Sequence, residues 1–375
     1  MSLFLIDAGQ EQSGLRVPSY YLAKELKLLG MPFRYYLTED SQLHSRAWIA
    51  ELPVEPLSAK SEKDVLGRWR LARTMKRSDC RLVHAHDLSS LPVAAAAAAR
   101  ARVPLQVVTW PGPGAEDLAL SSVHKSLTAI DLVVVRKEVT KDELAGHGVA
   151  PEAIKVIPLG RDFSPYTRPE ERDFLRRELR LEPGFRLIGV KTRFAGGRTW
   201  LILKRLKRIL ESGTSPTRVV ILGEGDLEIG SRGTIPPEGF LYYMGWRENF
   251  PKLIASLDLL VVLSSAPGDR EMLLAAMAAG VPLVAGAKGG LPRELTHQKT
   301  GLRFPPDESS ALVRSLSEVL KNRELGARLG KDGQDAVLTK HSVQAMARRL
   351  IKEYERIARR KGVSLFKAVP SSETS

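Results

Sequence analysis

Residues 186–198 are RLIGVKTRFAGGR, and this stretch shows how the chain is built. Arg186–Val190 is a short apolar run with the length of a buried strand. It passes directly into a turn that contains two glycines and two arginines, Arg193 and Arg198. Similar runs recur along the chain, separated by segments in which apolar residues have helical spacing. This alternation is typical of a parallel sheet covered by helices and predicts an α/β protein.

The same alternation occurs in both halves of the chain. The strands predicted in the first half are Leu3–Ile6, Phe33–Tyr36, Leu82–His84, Leu105–Val108, Leu132–Val135 and Lys155–Ile157. Those predicted in the second half are Arg186–Val190, Arg218–Leu222, Leu241–Met244, Leu259–Val262 and Pro282–Val284. The predicted helices are Pro18–Leu29, Asp64–Lys76, Leu91–Ala99, Lys141–Gly146, Trp200–Glu211, Phe250–Ala255, Glu271–Ala279, Ser309–Leu320, Glu324–Leu329 and Ser342–Arg360.

The chain has 375 residues, which is enough for two domains of ordinary size. We predict a first domain over residues 1–165, a charged linker over 166–183 and a second domain over 184–335. A helix over 336–362 is expected to pack back across the domains, and 363–375 has the composition of a disordered tail.

The formal net charge of +14 favours anionic partners such as phosphates, nucleic acid or an acidic lipid surface. Basic residues cluster at 68–77, 204–208 and 348–361, where each cluster could also be a solvated helix face. No RNA-binding signature appears in the sequence, so no nucleic acid is expected. The single cysteine, Cys80, excludes a disulfide framework and a cysteine zinc site, and we expect a cytoplasmic protein. The positive net charge makes an anionic membrane surface a candidate partner.

Five turns with glycine or basic residues follow predicted strands. Glycine lets the backbone approach a ligand, and the start of the next helix favours an anion. Two arginines on a flexible turn can hold a diphosphate through charge-assisted bonds. A single turn could serve geometry alone, but five together favour a phosphate-containing ligand. The turns contain Gly9 and Gly14; Arg193 and Arg198; Gly223, Glu224 and Gly225; Pro267, Gly268 and Asp269, followed by Glu271; and Gly289 and Gly290.

Several further stretches are informative because of their order and spacing along the chain. Together with the turns, they make the chain resemble the family 4 glycosyltransferases of the GT-B fold, in the glycogen synthase-like superfamily, over nearly its full length. They are Val83-His84-Ala85-His86-Asp87, Ile130-Asp131-Leu132-Val133-Val134-Val135, Lys155-Val156-Ile157-Pro158-Leu159-Gly160-Arg161-Asp162, Met244-Gly245-Trp246, Ala276-Met277-Ala278-Ala279-Gly280-Val281-Pro282, and Gly289-Gly290-Leu291-Pro292 through Thr300-Gly301-Leu302.

The resemblance implies two Rossmann-like, doubly wound domains that face each other across a cleft. It implies transfer of a sugar from a nucleotide-diphosphate sugar to a glycan or lipid-linked acceptor, commonly in cell-envelope polysaccharide or lipopolysaccharide synthesis. Such transfer usually retains the anomeric configuration and uses no metal and no cofactor beyond the nucleotide-sugar co-substrate. The sequence has no Asp-x-Asp metal motif, which agrees with that expectation.

The resemblance also assigns residues, and here the sequence departs from the family. Arg193 and Arg198 match the family's phosphate-binding pair. The family has two glutamates eight positions apart, which contact the donor sugar and the ribose, and the corresponding residues here are Pro267 and Ala275. Neither side chain can accept a hydroxyl hydrogen bond. Asp269 and Glu271 lie close by and are candidates to replace the first glutamate.

A further departure concerns histidine. The family often has one after the fourth strand of the first half, where this chain has Thr109-Trp110-Pro111-Gly112. His86, at the end of an earlier strand, is the remaining candidate to face the cleft, and a structural role fits it equally well. The departures leave two hypotheses open: a metal-independent hexosyltransferase-type enzyme, or a non-catalytic GT-B scaffold that has lost the catalytic glutamates. Donor turnover by the purified protein separates them.

Overall fold

In the computed structural model of the protein, the described residues are 2–8, 18–39, 41–57, 64–110, 130–168, 172–191, 207, 216–222, 240–244, 249–263, 270–286, 291–305 and 307–365. They belong to two compact units. The first unit is formed by Met1–Arg161 together with His341–Ser375, and the second is the continuous stretch Asp162–Lys340. None of the described helices is long and apolar enough to cross a lipid bilayer.

The first unit contains a parallel sheet in the order β3-β2-β1-β4-β5-β6-β7. Its central strands are buried on both faces because helices cover each side, as parallel sheets require. Its strands are β1 (Ser2–Asp7), β2 (Phe33–Leu37), β3 (Val54–Pro56), β4 (Cys80–Ala85), β5 (Leu105–Thr109), β6 (Leu132–Val135) and β7 (Ile154–Val156). Its helices are α1 (Pro18–Leu28), α2 (Gln42–Ile49), α3 (Val65–Arg77), α4 (Leu91–Ala101), α5 (Glu138–Gly146) and the C-terminal α12 (Val343–Arg360).

Two apolar clusters cover opposite faces of this sheet. Alternate residues of β1 show the division, because Leu3 and Leu5 belong to one cluster and Phe4 and Ile6 to the other. Helices α1, α2 and α12 pack on the first face, and α3 and α4 pack on the second. Three of these helices begin at side-chain caps, where Ser41, Asp64 and Ser342 each accept a hydrogen bond from a backbone amide of the first turn.

The second unit contains a parallel sheet in the order β10-β9-β8-β11-β12-β13. Here too the residues of the central strands are divided between two apolar clusters. The strands are β8 (Arg186–Lys191), β9 (Thr217–Leu222), β10 (Leu241–Tyr243), β11 (Leu259–Val262), β12 (Leu283–Ala285) and β13 (Leu302–Arg303). The helices are α6 (Ser164–Thr167), α7 (Phe174–Glu178), α8 (Phe250–Ala255), α9 (Arg270–Ala278), α10 (Ser309–Lys321) and α11 (Arg323–His341). The predicted helix Trp200–Glu211 lies outside the described residues apart from Lys207.

The unit boundaries differ from the predicted domain boundaries. The first unit ends at Arg161 rather than 165, and the segment predicted as a linker, 166–183, belongs to the second unit. Phe163 and Leu175 give the physical reason, because both side chains are buried in an apolar cluster of that unit. Residues 336–340 also belong to the second unit, and residues from 341 onward belong to the first. Within the predicted tail, Leu365 is buried in the first unit, whereas residues 366–375 lie outside the described part.

Candidate functional site

Each sheet has one place where the strand order reverses, and ligands of open α/β sheets bind at the carboxyl ends of the strands there. In the second unit this switch point lies between β8 and β11, because β9 and β10 extend to one side and β12 and β13 to the other. In the first unit it lies between β1 and β4. The two switch points therefore locate one candidate site in each unit.

The predicted donor-binding turns of the second unit all start from the carboxyl edge of its sheet. Four neighbouring strands, β9, β8, β11 and β12, end at Leu222, Lys191, Val262 and Ala285. The turns that follow them in the sequence contain Gly223, Glu224 and Gly225; Arg193 and Arg198; Pro267, Gly268 and Asp269; and Gly289 and Gly290, and these residues lie outside the described part of the chain. Arg193 and Arg198 follow β8, one of the two strands at the switch point.

Helix α9 carries the two described candidates of the second unit. Glu271 lies exposed in its first turn, and Ala275, four residues later on the same face, is only 4% exposed. Arg270, which begins α9, lies 3.5 Å from Glu294 in an ion pair whose carboxylate is largely buried. Glu294 is next to the exposed Arg293, in the segment that follows β12. This ion pair connects the first turn of α9 to the segment after β12.

In the first unit, Asp87 stabilises the backbone at the switch point through hydrogen bonds. Its carboxylate accepts a hydrogen bond of 2.8 Å from the amide of Ala8, at the end of β1, and another of 2.8 Å from the amide of Ser90, before α4. The hydroxyl of Thr38, after β2, donates to the carbonyl of Ala8. These bonds fix the backbone at the start of the turn that contains Gly9 and Gly14, both outside the described residues.

His86 follows β4 at this switch point, and its imidazole stacks on His84. The ring centroids are 3.8 Å apart and the planes are tilted by 34°. His84 is fully buried and uses both nitrogens: Nδ1 shares a hydrogen bond of 2.5 Å with the Tyr354 hydroxyl, and Nε2 shares one of 2.8 Å with the Thr109 hydroxyl. A neutral imidazole satisfies both bonds, with one nitrogen donating and the other accepting. The hydrogen bond from Tyr354 on α12 therefore helps to fix the imidazole of His84, against which the imidazole of His86 packs.

The electrostatics of the pair favour neutral imidazoles. Burial lowers the pKa of His84 well below its usual value, and the neighbouring His86 lowers it further. Burial, and next the positive charge of Arg136, lower the pKa of His86 to about 3. Although part of the His86 residue is exposed, both ring nitrogens are buried, and neither has a hydrogen-bond partner among the described residues. At neutral pH the ring is a neutral imidazole, with one N–H donor and one acceptor nitrogen, and not an imidazolium acid.

The structure adds residues that sequence reasoning did not select. Trp110, directly after β5, is fully buried, and its indole N–H has no acceptor among the described residues. Arg136 follows β6 and is half-buried. His86, Trp110 and Arg136 thus follow three neighbouring strands at one edge of the sheet. Their positions after strand ends were the available signal, whereas Tyr354 gave none because it lies 270 residues from His84.

Two family models match the chain. The model for glycosyl transferases group 1 matches residues 193–322, and the model for glycosyltransferase family 4 matches residues 13–165. The two matches fall within the second and first units respectively, apart from the last few residues of 13–165.

Individual relatives are distant. The chain is 28% identical to the N-acetyl-alpha-D-glucosaminyl L-malate synthase of Bacillus anthracis over 32% of this chain and 30% of that protein. It spans less than half the length of each of the first curated relatives that it matches. It is 22% identical to the UDP-Gal:alpha-D-GlcNAc-diphosphoundecaprenol alpha-1,3-galactosyltransferase of Escherichia coli over 70% of this chain and 72% of that protein.

Among solved structures, the chain is similar in fold to Anabaena HepE in complex with UDP. The TM-score is 0.53 at 19% identity, and the match covers 95% of this chain and 100% of HepE. The element order, the two parallel sheets and the two family matches agree on one assignment. The chain belongs to the family 4 glycosyltransferases and has their GT-B fold of two Rossmann-like α/β domains.

Proposed function

We propose that the protein transfers a sugar from a nucleotide-diphosphate sugar to a glycan or lipid-linked acceptor. The donor binds at the switch point of the second unit, and the acceptor binds at the switch point of the first. The relatives that act on lipid-linked glycans make cell-envelope polysaccharide or lipopolysaccharide synthesis the first context to examine. The single cysteine, Cys80, is reduced and buried, which supports a cytoplasmic location as part of this proposal.

One observation carries the proposal. Four neighbouring strands of the second sheet end at one edge, and each leads directly into a predicted phosphate-binding turn. Arg193 and Arg198 follow β8 at the switch point, where a diphosphate is expected on topological grounds. Two guanidinium groups neutralise the charge that develops on the leaving diphosphate without a metal ion. The backbone amides at the start of α9, which follows Pro267, supply further donors, and Asp269 and Glu271 are the candidate acceptors for sugar hydroxyls.

In the first unit, we propose that His86 and Arg136 contact the acceptor. Both ring nitrogens of His86 are buried and have no partner among the described residues, so an acceptor that reaches them can accept from one nitrogen and donate to the other. Because the pKa of His86 is about 3, it positions the acceptor rather than protonating it. Catalysis then depends on orientation and on stabilisation of the leaving phosphate, and the anomeric configuration is expected to be retained.

The test is calorimetric titration of UDP, GDP and ADP into the wild type, Arg193→Ala and Arg198→Ala. UDP is the first nucleotide to examine, because HepE was solved with it. Each substitution should weaken binding by about 10- to 100-fold, since hydrogen bonds to charged groups contribute about 1.5–3 kcal/mol. Transfer should slow by more than binding weakens, because charge on the leaving group grows in the transition state.

Arg177→Ala is the matched control. Arg177 is an exposed arginine of α7, and α7 is attached through Arg176 to Asp258 at the amino end of β11, the opposite edge of the sheet. It should bind nucleotide like the wild type. Unchanged affinity in both Arg193→Ala and Arg198→Ala would contradict the donor site.

A second candidate function is a scaffold or regulatory subunit that binds a nucleotide sugar without turning it over. Pro267 and Ala275 favour it, because the family's glutamates are absent and Ala275 is buried in an apolar helix face. Nucleotide binding without release of nucleoside diphosphate from any donor, in the presence of acceptor extracts, would support this alternative over the enzyme.

A further inference from the structure

Helix α3 presents an outward face that differs from that of the basic C-terminal helix α12. The buried residues of α3 are Gly67, Leu71, Ala72 and Met75. The last three belong to the apolar cluster on the second face of the first sheet. At the N-terminal end of the helix, large apolar side chains are exposed instead: Val65 by 65%, Leu66 by 69% and Trp69 by 44%. Exposed clusters of large apolar residues mark interaction surfaces more often than single exposed residues do.

Four cations share this outward face with the apolar residues. At 100° per residue, Leu66, Arg73 and Arg77 lie on one line, opposite the buried residues, with Trp69 and Arg70 on either side. Arg70, Arg73, Lys76 and Arg77 are all exposed, and α3 contains no Asp or Glu. Within the described part of the chain, none of these four side chains forms an ion pair. Arg73 instead lies over the Trp69 ring, 5.5 Å from its centroid.

The basic C-terminal helix provides the contrast. On α12, Arg348 pairs with Glu25, Arg356 with Glu353 and Arg359 with Glu355. Its apolar stripe is buried against the first sheet, and these three arginines each have an acidic partner. Of the two helices, α3 combines exposed apolar side chains with cations that form no ion pair among the described residues.

We propose that the outward face of α3 docks on an anionic membrane, with Val65, Leu66 and Trp69 entering the interface and Arg70, Arg73, Lys76 and Arg77 contacting lipid phosphates. Charge complementarity selects this partner, since each Lys or Arg near an anionic surface strengthens binding. Trp is an amphipathic residue that membrane interfaces favour. A second copy of the chain is a poor occupant, because it would bring four like charges against four others.

Docking would place the protein at the membrane that contains a lipid-linked acceptor. The biological purpose of docking therefore rests on the proposed function. The binding itself needs no turnover. Loss of vesicle binding with intact nucleotide titration would remove the docking proposal alone, and loss of nucleotide binding with intact docking would remove the glycosyltransferase proposal alone.

The first measurement is sedimentation with vesicles of phosphatidylglycerol and phosphatidylcholine, against vesicles of phosphatidylcholine alone. Arg73→Gln/Arg77→Gln should reduce partitioning to the anionic vesicles by about 30-fold, because each cation near the surface contributes about fivefold. Arg356→Gln/Arg359→Gln removes the same charge from α12 and should change partitioning by less than about twofold, because both arginines are paired with glutamates and a paired surface charge contributes little. Equal losses in the two variants would show that net charge acts alone and would overturn the assignment to α3.

The second measurement tests insertion of the apolar end. Brominated acyl chains should quench tryptophan fluorescence of the wild type and of Trp48→Phe, but much less that of Trp69→Phe. Trp48 is the matched control because it is 70% exposed but lies on α2, at the opposite face of the same sheet. Quenching that follows Trp48, or binding to RNA as strong as to anionic vesicles without any quenching, would contradict membrane docking at α3.

Discussion

Lowering the pH should destabilise the first unit through His84 and His86. Both imidazoles are neutral in the folded protein, because burial lowers the pKa of His84 well below 6.5 and that of His86 to about 3. In the unfolded chain each pKa returns to about 6.5. Between those values the unfolded state binds more protons than the folded state, so the free energy of unfolding falls as the pH falls.

The size of the effect follows from these values. At pH 5, about 1.5 units below the unfolded pKa, each histidine that stays neutral in the fold lowers the free energy of unfolding by about 2 kcal/mol relative to pH 7. His86 should therefore lower it by about 2 kcal/mol, and the lowered pKa of His84 adds to the loss in the same direction. This contribution is fully present above pH 6.5, and for His86 the loss continues until the pH reaches about 3.

The assay combines two readouts. Imidazole resonances should show His86 neutral at pH 5. Denaturant unfolding at pH 7 and pH 5 should show that the wild type loses about 2 kcal/mol more than His86→Leu, which has no imidazole to protonate. His147→Leu is the control and should lose as much as the wild type. A His86 resonance that titrates near pH 6.5, or equal losses in wild type and His86→Leu, would refute the reasoning.

Two further substitutions test packing and donor recognition. Gly160→Ala should lower the unfolding midpoint of the first unit, because an added Cβ would lie 2.6 Å from Cα of Val343 and 2.7 Å from the Ser342 carbonyl oxygen. Gly146→Ala is the control and should not lower the midpoint, because its Cβ would have no atom within 4 Å. Ala275→Glu should tighten nucleotide binding about tenfold or more in calorimetric titration, since it restores a charged acceptor for the ribose; weaker or unchanged binding would mean that the ribose is held by other residues.

The strand cores could be predicted because parallel strands buried on both faces are continuous apolar runs. Leu132–Val135 and Leu259–Val262 have their predicted bounds, and the helix Phe250–Ala255 does as well. The prediction failed at short edge strands: Val54–Pro56 and Leu302–Arg303 are defined by backbone pairing with β2 and β12, not by an apolar run. Such strands leave too few residues for a period-two pattern to be recognised.

Glycines misled the prediction of α11. The predicted helix, Glu324–Leu329, stops where Gly330 and Gly333 begin to interrupt the pattern, but the helix continues to His341. These glycines allow close packing, because a Cβ on Gly330 would lie within 2.3 Å of the Gly280 carbonyl oxygen. Tertiary packing therefore outweighs the low helix propensity of glycine.

The candidate site could be predicted only where it follows strand ends. His86 was identifiable because it directly follows β4, and the arginine turn because it follows β8. The hydrogen bonds that fix His84, on which His86 packs, could not be identified from the sequence, because Tyr354 and Thr109 reach His84 from distant parts of the chain. The low pKa of His86 depends on burial and on Arg136, and neither is visible from residue spacing.

The route of the chain inverts the order in which the units can be completed during synthesis. Met1–Arg161 leaves the ribosome first, but α12, which covers one face of its sheet, follows only after the whole of the second unit. Translation at about 5–20 residues per second leaves that face without α12 for many seconds. Leu350 and Tyr354 then arrive as the closing layer over Leu22 and Leu26. The first unit, which begins before the second along the chain, is thus completed after it, and until then the part of its apolar face that α12 covers is a target for chaperones and for aggregation.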